Sequence, residues 1–382
     1  MNCRTALTIA LFILRAIAPA RGQDIQYVIH ISVDGGGASY IQSLVGSRDL
    51  PNFQRFVVEG AGTFNARSDY DYTVTLPNHV TQVTGRGVGG ADGHNWTGND
   101  DPEPDQTIHS NKGSYVAGIF DVAHDNGRRT GMYVSKTKFS LFDASYNAAN
   151  GAIDTTGTDN GRAKIDSYVF DEDTSALTDS LINAMQTNPL NYAFVHYADA
   201  DFAGHGNGWR SAEYAGALAT VDGYLGRIFN MLDTDAALKG KTALVLTADH
   251  GGDGDNHEDN TDPLNYTIPF LVWGPGVTAG AELYSLNSQS RLDPGDGHPP
   301  YSDPLQPIRN GDAANLELGL LGLPAIPGST IDAAQDLAVP EPSTVGLIVM
   351  LIAVLSACSL IKGCSRGKQG ANNPDSSPSA SG

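Results

Sequence analysis

The chain has 382 residues, with 43 acidic and 23 basic side chains and a formal net charge of −20. Hydrophobic residues make up 40% of the sequence, which excludes a disordered protein and a protein with many membrane spans. A chain this acidic has no basic stripe that could neutralise a phosphate backbone, so we expect no binding of nucleic-acid duplexes.

The first segment, residues 1–20, has the pattern of a signal peptide. Arg4 supplies a positive start, residues 6–17 are mostly apolar, and Ala18-Pro19-Ala20 has the small residues of a cleavage site. We therefore expect the protein to be exported.

Strands alternate with helices through the middle of the chain. The hydrophobic patterns predict strands at 25–33, 130–135, 192–197, 242–247 and 268–273, and helices at 51–59, 77–84, 115–124, 174–185 and 212–232. Such alternation is typical of a mostly parallel sheet with helices on both faces. Because no linker interrupts the pattern before about residue 337, we predict a single domain over residues 24–337.

The C-terminal part of the chain has the features of a sorting signal. Residues 339–343 read Val-Pro-Glu-Pro-Ser and precede an apolar run over 345–361, which is just long enough to cross a bilayer as a helix. A basic cluster follows, and such clusters stay in the cytoplasm. This pattern resembles the PEP-CTERM signal of exported bacterial proteins. The resemblance implies export across the inner membrane and cleavage by an exosortase-type processing enzyme. It also implies a final place at the cell surface, in the outer envelope or in the extracellular matrix.

Residues 339–368 match this signal, and residues 369–382 form a tail rich in Ser, Asn and Pro that we expect to be disordered. The tail is longer than the usual pattern, so the helix at 345–361 is also a candidate permanent anchor, and we expect no other membrane contact. Cys3, Cys358 and Cys364 all fall in the terminal segments. The domain between them therefore has no disulfide framework, cysteine-bound zinc or thiol nucleophile.

Residues with metal-binding side chains follow three predicted strands, and the carboxyl ends of parallel strands meet at one edge of a sheet. Three aspartates and three histidines form a set of oxygen and nitrogen donors suited to two divalent ions such as zinc. Each alone is weak evidence, because Asp-Gly pairs form turns and single histidines are usually structural. The residues are Asp34 after the first strand, Asp201 and His205 after the third, and Asp249, His250 and His257 after the fourth.

A candidate nucleophile lies in residues 72–79. Thr75 occupies the predicted N-cap of the helix at 77–84, which Pro77 opens. From there its hydroxyl would meet a phosphate bound at the helix N-terminus. The alternative is an ordinary threonine cap, and this segment taken alone favours the cap.

Together, and in this order, these motifs resemble the alkaline phosphatase superfamily, nearest its type I phosphodiesterase/nucleotide pyrophosphatase branch. The resemblance covers roughly residues 25–327 and implies a three-layer α/β sandwich around a mostly parallel central sheet. The matching blocks are Val33-Asp34-Gly35, Leu50-Pro51-Asn52, Thr75-Leu76-Pro77-Asn78-His79, Gly93-His94 leading to Asn99, Asp201 to His205, Thr247-Ala248-Asp249-His250-Gly251 and Ile268 to Gly276.

The resemblance also implies two metal ions, with zinc as the expected ion, and a role for each matching residue. Thr75 would be the nucleophile that forms a phospho-threonine intermediate, and Asn99 the amide that stabilises a phosphoryl oxygen. Arg86 and Lys136 are weaker candidates for substrate binding, and a surface arginine and a surface salt bridge are their alternatives. One metal would be held by Asp201, His205 and His257, and the second by Asp34, Asp249, His250 and the Thr75 oxygen.

We therefore expect an exported two-metal hydrolase that acts on a small phosphate ester or a nucleotide. Threonine in place of cysteine argues against a sulfatase. Without a strong arginine clamp for a monoester dianion, a phosphodiester or nucleotide pyrophosphate is the expected substrate. The alternatives are a phosphomonoesterase of the same superfamily and a surface-displayed matrix module that keeps the fold without catalysis.

Overall fold

An eight-stranded sheet forms the centre of the protein. The structure, a computed structural model, describes residues 25–157 and 161–339. In chain order the strands are β1 (Tyr27–Val33), β2 (Ala61–Arg67), β3 (Thr130–Val134), β4 (Ser167–Phe170), β5 (Tyr192–Tyr197), β6 (Thr242–Thr247), β7 (Thr267–Trp273) and β8 (Ala281–Glu282). Across the sheet they lie in the order β4-β3-β5-β1-β6-β7-β2-β8.

The sheet is mostly parallel. Strand β1 lies between β5 and β6 and runs parallel to both, with Ser32 level with His196 on one side and Thr247 on the other. Strands β3 and β4 extend the parallel part beyond β5, whereas β7 is antiparallel to both β6 and β2. Because β1, β5 and β6 run in the same direction, their carboxyl ends meet at one edge of the sheet.

Helices cover both faces of this sheet. They are α1 (Ala38–Ser47), α2 (Pro51–Glu59), α3 (Thr75–Thr84), α4 (Ile108–Lys112), α5 (Ile119–Asp125), α6 (Ser140–Tyr146), α7 (Thr174–Thr187), α8 (Asp199–Asn207), α9 (Ala212–Thr234), α10 (Pro263–Tyr266), α11 (Leu283–Leu286) and α12 (Asp312–Leu320), with a short 3₁₀ turn at Thr137–Phe139.

The helices pack on the two faces of the sheet through two apolar clusters, one on each face. Successive residues of β1 alternate between them: Val28 packs with α3, α5 and α12, whereas Ile29 and Ile31 pack with α1, α2, α7 and α9. The predicted three-layer α/β sandwich around a mostly parallel sheet is confirmed.

The predicted strands and helices are all present, with ends shifted by at most four residues. Other elements, among them α1, β2, β4, α8 and α12, were not predicted from the sequence. Strand β2 is only partly buried and contains Gly62 and Asn65, so it lacks a continuous apolar run. Helix α8 contains Gly204 and Gly206 and has no apolar stripe, so its residues looked like a loop after a strand.

In residues 25–157 and 161–339, no helix is both long enough and apolar enough to cross a bilayer. The predicted signal peptide at 1–20, transmembrane helix at 345–361 and tail at 369–382 lie outside the described residues.

Candidate active site

Two groups of candidate metal ligands lie where β1, β5 and β6 end. In each group the ligand atoms lie within 4.8 Å of one another. We call them the Asp34 group, which is Asp34, Asp249 and His250, and the Asp201 group, which is Asp201, His205 and His257. The structure thus brings the six predicted ligands together, three in each group.

The Asp34 group is fully buried. His250 Nε2 lies 3.6 Å from Asp34 Oδ1 and 3.2 Å from Asp249 Oδ2. Its other nitrogen, Nδ1, donates to the carbonyl oxygen of Gly251 at 2.8 Å, so Nε2 of the neutral ring carries a lone pair. Neither His250 Nε2 nor Asp249 Oδ2 has a hydrogen-bond partner among the described residues. Buried polar atoms are nearly always paired, so this pair of atoms fits a bound cation.

The Asp201 group has the same character. Helix α8 places Asp201 and His205 one turn apart on one face, with Oδ1 and Nε2 3.4 Å apart. The Nε2 atoms of His205 and His257 lie 3.1 Å from each other, yet each ring uses Nδ1 to donate to a carbonyl oxygen, of Asp255 and Thr73 respectively. Asp201 raises the pKa of His205, so a metal ion competes with a proton for this ring. In their neutral forms the two imidazoles direct two lone pairs at the same point, which suits a metal ion.

Burial and neighbouring charges keep His257, Asp34 and Asp201 in metal-binding form, whereas burial and the Asp34 carboxylate raise the pKa of Asp249 well above its usual value. Burial lowers the pKa of His257 to about 3, and the adjacent His250 adds to the shift, so the ring stays neutral. Burial raises the pKa of Asp34, but the Lys136 ammonium and His196 outweigh it and hold the pKa well below its usual value. Asp201 behaves similarly, and Lys136 helps to lower its pKa to about 2 against the effects of burial and Asp34.

Thr75 is the first residue of α3, and Val74, one residue earlier, is the N-cap. The expectation that Thr75 itself caps the helix is therefore wrong by one position. The hydroxyl does not bond to the helix backbone; Oγ1 instead lies 3.5 Å from Asp34 Oδ1. Asn78 fixes the preceding loop by donating to the carbonyl oxygens of Tyr72 and Val74. The threonine side chain is thus directed at the Asp34 group.

A cavity of about 340 Å³ opens beside Thr75 and the Asp201 group. Asn99 lies at its wall, and its Oδ1 accepts a hydrogen bond of 2.9 Å from the backbone N–H of Leu76. Asn99 therefore lies against the first turn of α3. The cavity is lined by Thr75, Asn99, Ser135, Lys136, Thr137, Lys138, Glu172, Asp201, Phe202, His205 and His257.

Lys136 lies between the two groups. Its side chain is only 9% exposed, and Nζ lies 2.7 Å from Asp34 Oδ2 and 2.6 Å from Asp201 Oδ2. Burial lowers the pKa of Lys136, but the two carboxylates outweigh burial and raise it, so the ammonium is charged. Lys136 is therefore an internal ion pair partner and not a surface one.

Two buried histidines that received no role from the sequence support the site. His196 Nε2 donates to Asp34 Oδ2 at 2.8 Å, and its Nδ1 lies 3.0 Å from the Ser135 hydroxyl. His79 lies one turn after Thr75 on α3 and contacts its carbonyl oxygen. The spacing of four residues in a helix is a signal that could have identified His79. Nothing in the sequence distinguishes His196 from a core histidine.

Arg86 is not brought to the site. It follows the C-terminal end of α3, a helix of 10 residues that begins at Thr75 and is about 15 Å long at a rise of 1.5 Å per residue. Its guanidinium donates to the carbonyl oxygens of Asp92 and Pro327. Those contacts hold it away from the cavity, so the prediction that Arg86 binds substrate is not supported by its position.

A family model described as type I phosphodiesterase/nucleotide pyrophosphatase matches residues 28–289. The chain belongs to this family. The match includes both ligand groups, Thr75 and Asn99, and the family is one of phosphoester hydrolases within the alkaline phosphatase superfamily.

Several curated proteins are similar to this family member over part of their length. GPI ethanolamine phosphate transferase 1 of Emericella nidulans is 31% identical over 172 residues, which is 41% of this chain and 18% of that protein. The same transferase of Schizosaccharomyces pombe is 25% identical and covers 71% of this chain and 28% of its own. A 2,3-bisphosphoglycerate-independent phosphoglycerate mutase of Chromobacterium violaceum is 29% identical over 133 residues, which is 32% of this chain and 25% of the mutase. The chain thus spans less than a third of these relatives.

Solved structures of ectonucleotide pyrophosphatase/phosphodiesterase 5 have the same fold. The murine protein matches with a TM-score of 0.56 at 18% identity, over 82% of this chain and 100% of that one. An inactive threonine-to-alanine variant of the murine protein, in complex with AMP, matches with a TM-score of 0.56 at 17% identity, over 82% and 99% of the two chains. The human protein matches with a TM-score of 0.55 at 16% identity, over 82% of this chain and 99% of that one.

Proposed function

We propose that this family member is an exported hydrolase of phosphodiesters or nucleotide pyrophosphates that uses Thr75 as its nucleophile and two divalent metal ions. The observation that carries the proposal is the position of the Thr75 hydroxyl, 3.5 Å from Asp34 Oδ1 and in the wall of the same cavity as the Asp201 group. The inactive threonine-to-alanine variant of a protein with this fold also supports it.

The donor set favours zinc. Each group offers imidazole nitrogens and carboxylate oxygens with three protein ligands, which leaves a coordination position for a substrate or nucleophile oxygen. Bound there, two such ions would lower the pKa of the attacking hydroxyl and stabilise charge on the phosphoryl and leaving oxygens.

In the first step, the Thr75 oxygen attacks phosphorus, the bond to the leaving oxygen breaks, and the threonine proton passes to solvent. The leaving oxygen takes a proton from solvent and departs as an alcohol or phosphate. Thr75 then carries the phosphoryl group, which keeps its remaining ester substituent when the substrate is a diester. In the second step, water attacks this phospho-threonine, and the Thr75 oxygen leaves and recovers a proton. Asn99, whose Oδ1 is held by the N–H of Leu76, directs its NH₂ to a phosphoryl oxygen.

The lining of the cavity favours a diester or pyrophosphate over a monoester. No arginine is among the described residues that line it, so a guanidinium clamp for a dianion is missing. Lys138 lines the cavity and makes no ion pair with a described carboxylate, which leaves it for a second phosphoryl group. Phe202 is 57% exposed at the same cavity and offers a ring for a nucleotide base.

A transferase is a second candidate, because several relatives are GPI ethanolamine phosphate transferases. Such an enzyme would form the same phospho-threonine and pass the group to an alcohol in place of water.

We further propose that the protein acts outside the inner membrane, at the cell surface, in the outer envelope or in the extracellular matrix. The pattern of a signal peptide at residues 1–20 and of a sorting signal at residues 339–368 supports this location.

The test uses the full chain loaded with zinc, with Thr75→Ala as the matched variant. Turnover is compared for bis-p-nitrophenyl phosphate, p-nitrophenyl phosphate and a dinucleotide pyrophosphate. Faster cleavage of the diester or pyrophosphate, lost in the variant, supports the proposal. A preference for the monoester indicates a phosphatase. No turnover with two bound ions, and release of product only when an alcohol is added, indicates the transferase. A chain that binds no ion and turns over nothing is the matrix module.

A further inference from the structure

Lys136 contacts one oxygen of each of two aspartates that belong to different ligand groups. Its Nζ lies 2.7 Å from Asp34 Oδ2 and 2.6 Å from Asp201 Oδ2. The residue stands just after β3, two strands away from β1, so the topology of the sheet and not the local sequence creates this arrangement.

The two oxygens of each carboxylate face different partners. Asp34 Oδ2 is occupied by Lys136 and His196, whereas Oδ1 faces Thr75 at 3.5 Å and His250 at 3.6 Å. Asp201 shows the same division: Oδ2 accepts from Lys136, and Oδ1 faces the histidines of its own group.

Asp201 Oδ1 has no hydrogen-bond partner among the described residues, although it is buried. It lies 3.4 Å from His205 Nε2 and 3.8 Å from His257 Nε2. The free oxygen is therefore the one that points at the candidate metal position, and the other oxygen is held by the lysine.

We propose that Lys136 is a positioning residue that ties the two metal sites together, because it holds one oxygen of Asp34 and one of Asp201 and so leaves each carboxylate a single oxygen for its metal ion. The inference rests on the proposed two-metal function and gives Lys136 a task other than binding substrate. An ammonium has three donor hydrogens, and the two aspartates use two of them.

Before any metal ion binds, Lys136 also supplies a positive charge to the buried carboxylates. Asp34, Asp201 and Asp249 are all buried, and the lysine is the cation that contacts two of them. A buried carboxylate without a counter-ion is strongly destabilising. The lysine therefore keeps the ligands in place before the ions bind, and the ions meet a site that is already arranged.

The test compares Lys136→Met, which keeps the length of the side chain, with Lys138→Met on the same segment. Lys138 lines the cavity but contacts no ligand carboxylate. After chelation, we expect Lys136→Met to lower the melting temperature by roughly 6–10 °C and Lys138→Met to leave it within about 2 °C. The decisive measurement is the visible spectrum of each protein loaded with Co²⁺ in place of zinc.

In Lys136→Met the Asp201 carboxylate is free to bind through both oxygens, whereas His196 still holds Asp34 Oδ2. The coordination number therefore rises at the Asp201 group, and the visible bands lose intensity. Lys138→Met keeps the wild-type spectrum. A loss of melting temperature with an unchanged Co²⁺ spectrum would make the lysine a structural ion pair partner and overturn the inference. If Lys136→Met does not fold, Lys136→Gln, whose side chain is shorter and uncharged, is expected to give the same spectral change.

The outcomes separate this inference from the proposed function. If the wild-type chain takes up neither Co²⁺ nor Zn²⁺, the two-metal function fails. If it takes up two ions and hydrolyses a phosphoester while the spectrum of Lys136→Met matches the wild type, only the role of Lys136 fails.

Discussion

The Nδ1 atom of His79 lies 2.7 Å from the carbonyl oxygen of Thr75, and its Nε2 lies 2.8 Å from the hydroxyl of Ser32. A carbonyl oxygen only accepts, so Nδ1 carries the proton and Nε2 accepts from the serine. Burial lowers the pKa of His79 well below its usual value, so the ring stays neutral and this arrangement is fixed. His79 thus links the first turn of α3, which carries the candidate nucleophile, to β1, which ends at Asp34.

We predict that His79→Phe lowers kcat about 10- to 100-fold and leaves KM within about threefold, as is typical for groups that orient a reacting residue. The ring shape is kept, but the bond that orients the Thr75 turn is lost. Steady-state kinetics on a p-nitrophenyl diester check this. His109→Phe is the control, because the polar and ring contacts of His109 among the described residues are with Ser145, Val116 and nearby aromatic rings, away from the cavity. Equal effects of both substitutions would argue against a positioning role.

Thr75→Ala is expected to lower turnover by roughly 10³-fold or more, because it removes the hydroxyl that lies 3.5 Å from Asp34 Oδ1. The six ligands remain, so the variant should still bind two metal ions, as metal analysis after dialysis would show. Thr75→Ser keeps the hydroxyl and should retain activity within about tenfold. A phosphorylated peptide containing Thr75, trapped by acid quench and found by mass spectrometry, would identify the intermediate. An active Thr75→Ala protein would rule out this nucleophile.

Asn99→Ala is expected to lower kcat by about 10²- to 10³-fold, the usual loss when a donor to a transition-state oxygen is removed. Asn99→Asp should be worse than alanine, because it replaces the NH₂ donor with a negative charge next to the phosphoryl group. Asn95→Ala is the matched control: this asparagine bonds to the carbonyl oxygens of Val88 and Gly90, away from the cavity. The same loss for Asn99→Ala and Asn95→Ala would point to a folding defect.

The layers of the fold could be predicted from the sequence. The central strands of the sheet are buried on both faces, so each of them is a continuous apolar run in the sequence. The sequence was insufficient for β2, which pairs with β7 at the antiparallel side and has a partly exposed face. Helix α8 was missed for a different reason. It contains two glycines and two candidate ligands and has no apolar stripe, so no helical pattern is visible in its sequence.

The grouping of the six candidate ligands could be predicted because the rule about strand ends needs only the order of strands. The role of Lys136 could not, since it depends on β3 lying next to β5, which no local pattern encodes. Arg86 shows the reverse error. It is close to Thr75 in sequence, but a helix of 10 residues separates them in space.

Lys138→Met is expected to reduce kcat/KM for a dinucleotide pyrophosphate about tenfold and to leave kcat/KM for a simple diester within about twofold. The reason is that only the pyrophosphate has a second phosphoryl group for this ammonium to bind, and exposed charge pairs contribute modestly. Burial lowers the pKa of Lys138, and the charge on Lys136 adds to this shift. Among the described residues Lys138 forms no ion pair, so a bound phosphoryl group displaces no carboxylate from it. A uniform loss on both substrates would show that Lys138 does not distinguish them.

Asp332 gives a pH dependence that is separate from the active site. Its Oδ1 accepts hydrogen bonds from Arg291 and from the backbone N–H of Leu337, whereas the buried Oδ2 has no partner among the described residues. Burial, and next the nearby Asp312 carboxylate, raise the pKa of Asp332 to about 7 in spite of Arg291. The folded protein therefore keeps this proton up to about pH 7, whereas an unfolded aspartate loses it near pH 4.

Between about pH 4 and 7 the folded state thus binds more protons than the unfolded state, so this group makes stability fall as pH rises through that window. Asp332→Asn fixes a neutral side chain, and we predict that the melting temperature of the variant, measured relative to wild type, rises steadily from about pH 5 to 8. Asp336→Asn is the control, because Asp336 pairs with the same arginine but is 50% exposed. A difference between Asp332→Asn and wild type that stays constant with pH would mean that Asp332 is ionised throughout and that Arg291 outweighs its burial.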